Sequence, residues 1–186
     1  MTLVTTDIML AAASLKSGGI IAYPTEAVFG LGCDPRNDMA LSQLLALKQR
    51  PAHKGLIVVA AEWAQLLPYL AAISPTEYAQ VMATWPGPVT WVMPVAEGVS
   101  RLLTGEHESL AVRISAHPLI QMLCRAFGGA VVSTSANRST EPPCKTTAEV
   151  RACFREGLDV IVAGQTSGLA KPTSIYTLTS KTIIRS

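Results

Sequence analysis

The chain has 186 residues, of which 49% are apolar and only 15% charged, and its formal net charge is +2. That size and balance suit a single well-cored globular domain spanning 1–186, and they exclude a disordered or strongly polyelectrolyte protein. No apolar run reaches the roughly 18 residues of a membrane span, and no basic stretch precedes an apolar one at the N-terminus, so neither a span nor a secretory signal is expected and a cytoplasmic location is.

In chain order, residues 7–16 predict a helix with Ile8, Met9, Ala12 and Leu15 near one face, Thr5 or Thr6 as its cap and Gly18-Gly19 as its stop. Residues 20–23 read as a short apolar strand that runs into Pro24-Thr25-Glu26, a turn at a strand end. Residues 28–34 continue as an extended stretch, and its glycines permit close approach of chain or ligand. Asp38 is placed to cap the next helix, whose Leu41, Leu44, Leu45 and Lys48 share a stripe. A basic turn, Lys48-Gln49-Arg50-Pro51-Ala52-His53-Lys54, ends that helix, and residues 56–60 are a fully apolar strand of the buried type. Two helices are expected over 62–70 and 75–83, then a rigid Trp85-Pro86-Gly87-Pro88 turn leading into a strand, a loop over 98–109 and a strand over 110–114. Residues 117–127 form a helix with Pro118 in its first turn. Residues 130–133 are a strand that delivers Thr134-Ser135-Ala136-Asn137, and a polar loop over 138–145 leads to a helix over 146–154, capped by Thr146 or Thr147. Strands near 159–162 and 173–178 flank a glycine-rich turn at 164–168. This alternation gives an α/β fold, a twisted mixed open sheet flanked by helices.

Polar residues gather where strands end, and in open α/β sheets such ends form the ligand crevice. Thr25, Arg113, Ser133, Ser135 and Asn137 offer hydrogen bonds, and Lys48, Arg50 and Lys54 place three cations within seven residues. Each has a plainer alternative. The cations can cap a helix C-terminus in solvent. Thr25 with Glu26 can be a turn hydroxyl and a surface acid. The serines and Asn137 can be a turn or cap cluster. Arg113 between Val112 and Ile114 must face solvent, a partner acid or a ligand. The three histidines suit surface or capping roles. Cys33, Cys124, Cys144 and Cys153 contain no C-x-x-C pair and read as reduced, mostly structural thiols.

No phosphate-binding P-loop, dinucleotide fingerprint, nucleophile elbow or metal-binding histidine pair is present. A site built from these residues works through positioned cations and hydrogen bonds, not through a protein nucleophile.

Five segments taken together resemble the YrdC/TsaC family of threonylcarbamoyl-AMP synthases, in its short bacterial form. They are Ala22-Tyr23-Pro24-Thr25-Glu26-Ala27-Val28-Phe29-Gly30-Leu31-Gly32-Cys33-Asp34, Leu47-Lys48-Gln49-Arg50-Pro51-Ala52-His53-Lys54-Gly55-Leu56-Ile57, Trp85-Pro86-Gly87-Pro88-Val89-Thr90, Leu110-Ala111-Val112-Arg113 and Ser133-Thr134-Ser135-Ala136-Asn137. The resemblance implies a YrdC-like fold with a large concave basic cavity. It implies a nucleotidyltransferase that condenses L-threonine, bicarbonate or CO2, and ATP into threonylcarbamoyl-AMP and diphosphate. Downstream transferase proteins then use the product to modify adenosine 37 of tRNAs reading codons that start with A. It implies Lys48 and Arg50 as catalytic groups, Lys48, Arg50, Lys54, Ser135 and Asn137 on ATP, and Thr25, Arg113, Ser133 and Thr173 on threonine. Mg2+ is expected to accompany ATP, held mainly by phosphates and water, with no metal site on the protein. The chain departs from the family pattern at Lys54-Gly55, at Ser139-Thr140 and over 168–186. The competing reading is an RNA-binding module for tRNA or double-stranded RNA without turnover, and a third is a nucleotide-binding regulator. An aromatic share of 5% weighs against the RNA module, which interleaves rings with its cations.

Overall fold

The structure is a computed structural model that describes residues 2–169, 173–178 and 183–185, the last three by their backbone. Its elements are β1 (Leu3–Thr5), α1 (Ile8–Lys16), β2 (Ile21–Pro24), β3 (Phe29–Gly32), α2 (Asp38–Lys48), β4 (Ile57–Ala60), α3 (Pro75–Met82), β5 (Val89–Pro94), α4 (Arg101–Thr104), β6 (Ser109–Ile114), α5 (Pro118–Phe127), β7 (Val131–Ser135), α6 (Thr147–Cys153), β8 (Val160–Val162), β9 (Ser174–Thr177) and β10 (Ile183–Arg185). The strands make one sheet in the order β1-β8-β2-β3-β7-β4-β6-β5-β9-β10. Parallel pairs (β1 with β8, β2 with β8, β4 with β6, β5 with β9) alternate irregularly with antiparallel ones. The mixed α/β sheet flanked by helices is therefore as expected.

Period-two alternation along the strands feeds two cores, one on each face of the sheet. Ile21, Tyr23, Val59, Val131, Val160 and Val162 point into one, against α1 and α5. Ala22, Leu31, Val58, Ala60, Val132 and Ile161 point into the other, larger core, beneath α2 and the segments around α3. Helix α5 shows why its sequence folds so. Ile120, Leu123, Cys124 and Phe127 recur at helical spacing and are buried, Pro118 opens the first turn, and Gly128 closes the last one at φ 86. Truncating Leu123 to alanine would remove about 2–5 kcal/mol of transfer and cavity energy.

Several local expectations shift. Asp7, not Thr5 or Thr6, caps α1 by accepting from Met9 N at 2.8 Å. Asn37, not Asp38, caps α2 by accepting from Ala40 N at 3.1 Å. Thr146 caps α6 in a full capping box with Glu149. The helix expected over 62–70 is instead two 3-10 turns, Trp63–Gln65 and Leu67–Tyr69. Pro68 lacks the N–H that a continuous helix would need there. The loop expected over 98–109 contains α4, and the first strand, β1, lies ahead of the first expected element.

The sheet is strongly curled at one end. Glu26 follows β2 and Arg113 lies on β6, four strand-to-strand steps apart, roughly 19 Å along a flat sheet at the usual spacing. Their side chains nevertheless meet at 3.2 Å. The sheet wraps around this end, and the concavity it leaves is not filled by α1 or α5.

Candidate active site

The cavity lies on the same face as the α1–α5 core, beyond the reach of those helices. Ser133 and Ser135 follow Val131 at alternate positions of β7, and Arg113 faces the same way opposite Val59. The face is apolar where helices cover it and polar where they do not. Gly30 supplies part of the floor, where a Cβ would stand 3.1 Å from Thr25 Cγ2 and 3.4 Å from Ser133 Oγ. The open volume is about 240 Å³, and its lining includes Thr25, Arg50, Arg113, Ser133, Ser135 and Thr173.

Arg113 is 4% exposed and organises the deep end. Its Nη1 donates to Thr173 Oγ1 at 2.9 Å and Thr90 Oγ1 at 3.1 Å, and its Nη2 donates to Glu26 Oε2 at 3.2 Å. Ser115 Oγ donates to the other Glu26 oxygen at 2.6 Å and accepts from His117 N at 3.0 Å. Arg113 Nε is the one buried side-chain polar atom with no partner among the described residues. A buried guanidinium with an unmatched N–H is a ready donor to an anionic ligand atom. His117 caps α5 through Nδ1, and burial holds its pKa below the ordinary value.

The turn after β2 is pinned by Thr25, whose N–H and hydroxyl both reach Val28 O, at 3.0 and 2.7 Å. Since that hydroxyl donates inward, its lone pairs remain to accept. Opposite stands Arg50. Gln49 ends α2 in the left-handed region at φ 51, which swings Arg50 off the helix axis. Its Nε and Nη2 donate to Gly55 O at 3.3 and 3.0 Å, and burial pulls its pKa below the ordinary value. Gly55 and Gly105, both at positive φ, let the two backbones of this turn touch.

Lys48 sits behind the wall and not in the lining. It is 3% exposed, and its Nζ donates to Ser135 O, to Asn137 O at 2.8 Å and to Asn137 Oδ1 at 3.4 Å. Burial, with Arg50 beside it second, pushes its pKa down to about 8. Ser135 Oγ donates to Asn137 Oδ1 at 2.6 Å, and Asn137 Nδ2 donates to Glu141 O at 2.7 Å. Lys48 therefore locks the turn that presents Ser135, and Asn137 braces it from outside the cavity lining. Lys54 is exposed in the 3-10 turn Ala52–Lys54, also outside the lining.

Of the residues singled out in the sequence, the cavity thus unites Thr25, Arg50, Arg113, Ser133, Ser135 and Thr173. Lys48 and Asn137 stand one layer back. The alternative that Glu26 is a surface acid is overturned, since it is 5% exposed and paired with Arg113. Thr90, within the 85–90 segment, and Ser115, at the strand end Arg113-Ile114-Ser115, stand out in the sequence only by position, and their roles as partners of Arg113 and Glu26 come from the structure.

A curled mixed sheet with guanidinium and hydroxyl groups in its concavity defines a class of α/β proteins equipped to hold a small anionic or zwitterionic ligand. The chain belongs to the Sua5/YciO/YrdC family, whose model, described as Sua5_yciO_yrdC, "Telomere recombination", matches residues 13–186. A relative from Photobacterium profundum, named threonylcarbamoyl-AMP synthase, is 53% identical over 174 residues, covering 92% of this chain and 94% of its own. A second so named, from Halorhodospira halophila, is 54% identical over 166 residues, covering 89% of this chain and 86% of its own. The P. abyssi Sua5 structure complexed with L-threonine superposes with a TM-score of 0.89 at 28% identity, over 98% of this chain and 56% of that longer one. E. coli YciO, at 23% identity and a TM-score of 0.85 over 100% of this chain and 95% of its own, shares the fold.

Proposed function

We propose that the chain is a threonylcarbamoyl-AMP synthase, joining L-threonine, CO2 or bicarbonate, and ATP into threonylcarbamoyl-AMP with release of diphosphate. The single observation that carries this is the cavity itself. Residues from four of the five segments that resemble this family's motifs meet in one polar hollow, and the fifth holds Arg113 from behind through Thr90, in a chain half identical to synthases of nearly the same length.

In this reading the threonine carboxylate approaches Arg113, whose unmatched Nε and fixed fork present a planar donor set. Glu26, Thr90 and Thr173 hold that fork in place. Thr25 and Ser133 take the amino acid's polar groups. The amine adds to CO2 and loses a proton to give a carbamate. A carbamate oxygen attacks the α-phosphorus of ATP, a new P–O bond forms, and the α–β bridging P–O bond breaks as diphosphate leaves. Such a displacement asks for alignment and charge neutralisation, not for a protein nucleophile. Arg50 supplies the cation nearest the phosphates, and Ser135, locked by Lys48 and Asn137, supplies a hydroxyl to the nucleotide. Lys54, free to swing from its exposed turn, reaches the outer phosphates. Among the described residues no group of three or more His, Cys, Asp or Glu side chains is placed to hold a metal ion. Mg2+ would accompany the nucleotide substrate, held mainly by its phosphates and water.

The product is a reactive mixed anhydride and needs a consumer. tRNA and the transferase proteins that modify it fill that role in a cytoplasmic setting. Among the described residues, no helix is long and apolar enough to cross a membrane. The RNA-binding alternative draws nothing from a lining whose one aromatic ring, Phe29, is fully buried.

The test is threonine-dependent release of diphosphate from labelled ATP with bicarbonate present. No release where a relative is active would end this reading. Arg50→Ala is expected to lower turnover by about 100-fold or more while the circular dichroism spectrum is kept. Wild-type turnover in that variant would make the basic turn mere surface.

A further inference from the structure

A second hollow opens on the side of the larger core, between the start of α2 and the segments that carry Tyr69 and Glu97. It holds about 520 Å³ and shares no lining residue with the cavity. Pro35, Pro68 and Val99 give it apolar walls, and Arg36, Asp38, Tyr69 and Glu97 bring its polar groups.

Tyr69 sets this hollow apart from an ordinary surface dip. The residue is 5% exposed and packs in the larger core. Its hydroxyl makes no hydrogen bond among the described residues. The oxygen is not sealed off either, so it opens into the hollow that the residue lines. Burial pushes the phenol up to about 12, so the hydroxyl stays neutral and keeps lone pairs to accept with. A buried polar group of this kind is costly unless something meets it. The frame around it is fixed. Ala96 N donates to Tyr69 O and Ala71 N to Pro94 O, both at 3.0 Å, which ties the Tyr69 segment to the one that leads into Glu97.

The charge of the hollow selects the ligand. Asp34, Asp38 and Glu97 outnumber Arg36 here, in a chain whose formal net charge is +2. Arg36 is turned to Asp34, with Nε 3.5 Å from Oδ1, and its charge is offset there. The Asp38 and Glu97 carboxylates have no hydrogen-bond or ion-pair partner among the described residues. The N-terminus of α2 by itself would favour an anion, but Asp38 already occupies its first turn. The surplus is therefore negative, and a cation answers it. A phenol oxygen accepts from an ammonium N–H, and the ring face attracts the same charge. Among the described residues no group of three or more His, Cys, Asp or Glu side chains is placed to hold a metal ion. The apolar walls suit methylene groups and not a hydrated ion.

We propose that this hollow is a binding site for a small alkyl diammonium ion, its methylenes along Pro35, Pro68 and Val99 and its ammonium groups shared by Asp38, Glu97 and the Tyr69 hydroxyl.

The probe is putrescine, a four-carbon diamine, titrated into the full-length protein in a calorimeter at an ionic strength fixed by sodium chloride. ATP is left out, because its phosphates would pair with the diamine. A saturable heat is expected. Glu97→Gln is expected to raise the Kd by about tenfold, the loss of one charge-assisted hydrogen bond. Tyr69→Phe, which keeps the ring, raises it by less. Glu97 is exposed, so its replacement leaves the fold intact. Glu62→Gln removes an exposed acid outside the hollow and is expected to change nothing. No saturable heat, wild-type affinity in Glu97→Gln or Tyr69→Phe, or an equal loss in Glu62→Gln would each overturn the proposal. So would inorganic phosphate binding in place of the diamine and lost in Arg36→Ala. Binding is read directly, so the outcome is decided even if the chain shows no synthase turnover.

Discussion

Replacing Glu26 by glutamine removes one charge from the cavity floor and almost no volume. Glu26 Oε2 and Arg113 Nη2 lie 3.2 Å apart, with side chains only 7% and 5% exposed. At an effective dielectric near 20, unit charges at that separation attract by about 5 kcal/mol. The amide still accepts from Ser115 but turns an N–H toward Nη2. Relief of the carboxylate's desolvation offsets part of the loss, and the hydroxyls of Thr90 and Thr173 remain. The net cost is about 3 kcal/mol, at the low end for breaking a buried pair. In a domain of this size that lowers the thermal midpoint by roughly 6–12 °C. Scanning calorimetry with and without L-threonine reads both halves of the reasoning. The ligand carboxylate supplies the missing anion, so threonine is expected to raise the variant's midpoint more than the wild type's. A variant melting within about 2 °C of wild type would refute the buried pairing. An equal threonine shift in both proteins would refute the placement of the carboxylate at Arg113.

Three further outcomes are expected. Arg113→Ala raises the KM for threonine well above any change in the KM for ATP, and steady-state kinetics showing equal shifts would count against the assignment. Lys48 has a folded-state pKa depressed to about 8, so between there and its ordinary value the unfolded chain holds a proton that the native one has released. Stability therefore rises with pH across that window by linkage, and urea midpoints are expected to show wild type gaining on Lys48→Met; parallel curves would contradict the burial. Gly105→Ala sets a Cβ against His53 O and Gly55 N at φ 66, so chemical denaturation should show a loss of about 1–3 kcal/mol, and a neutral result would mean the turn relaxes freely.

Elements with strong local signals were legible in the sequence. Helix α5 carries its stripe, its proline and its closing glycine within a dozen residues, and β4 is an unbroken apolar run. What was hidden depended on partners far along the chain. Glu26 reads locally as a turn acid, because the guanidinium that buries it is 87 residues away. Lys48 reads as a helix-end cation, because the carbonyls that capture it belong to Ser135 and Asn137. Strand β1 has no signal of its own and exists only through its pairing with β8. The residues that line the cavity were legible because hydroxyls and guanidiniums at strand ends are costly unless something meets them. Which of them face the hollow and which brace it from behind depended on the curl of the sheet.

Leu3 pairs with Val160, and Arg113 is fastened by Thr173. Both closures join distant stretches of chain, and such contacts form slowly because a long loop must be ordered first. During synthesis the hollow therefore stays open-sided until the residues around Thr173 have left the ribosome. A nascent fragment short of that point holds Arg113 without Thr173, one of the hydroxyls that fasten its guanidinium.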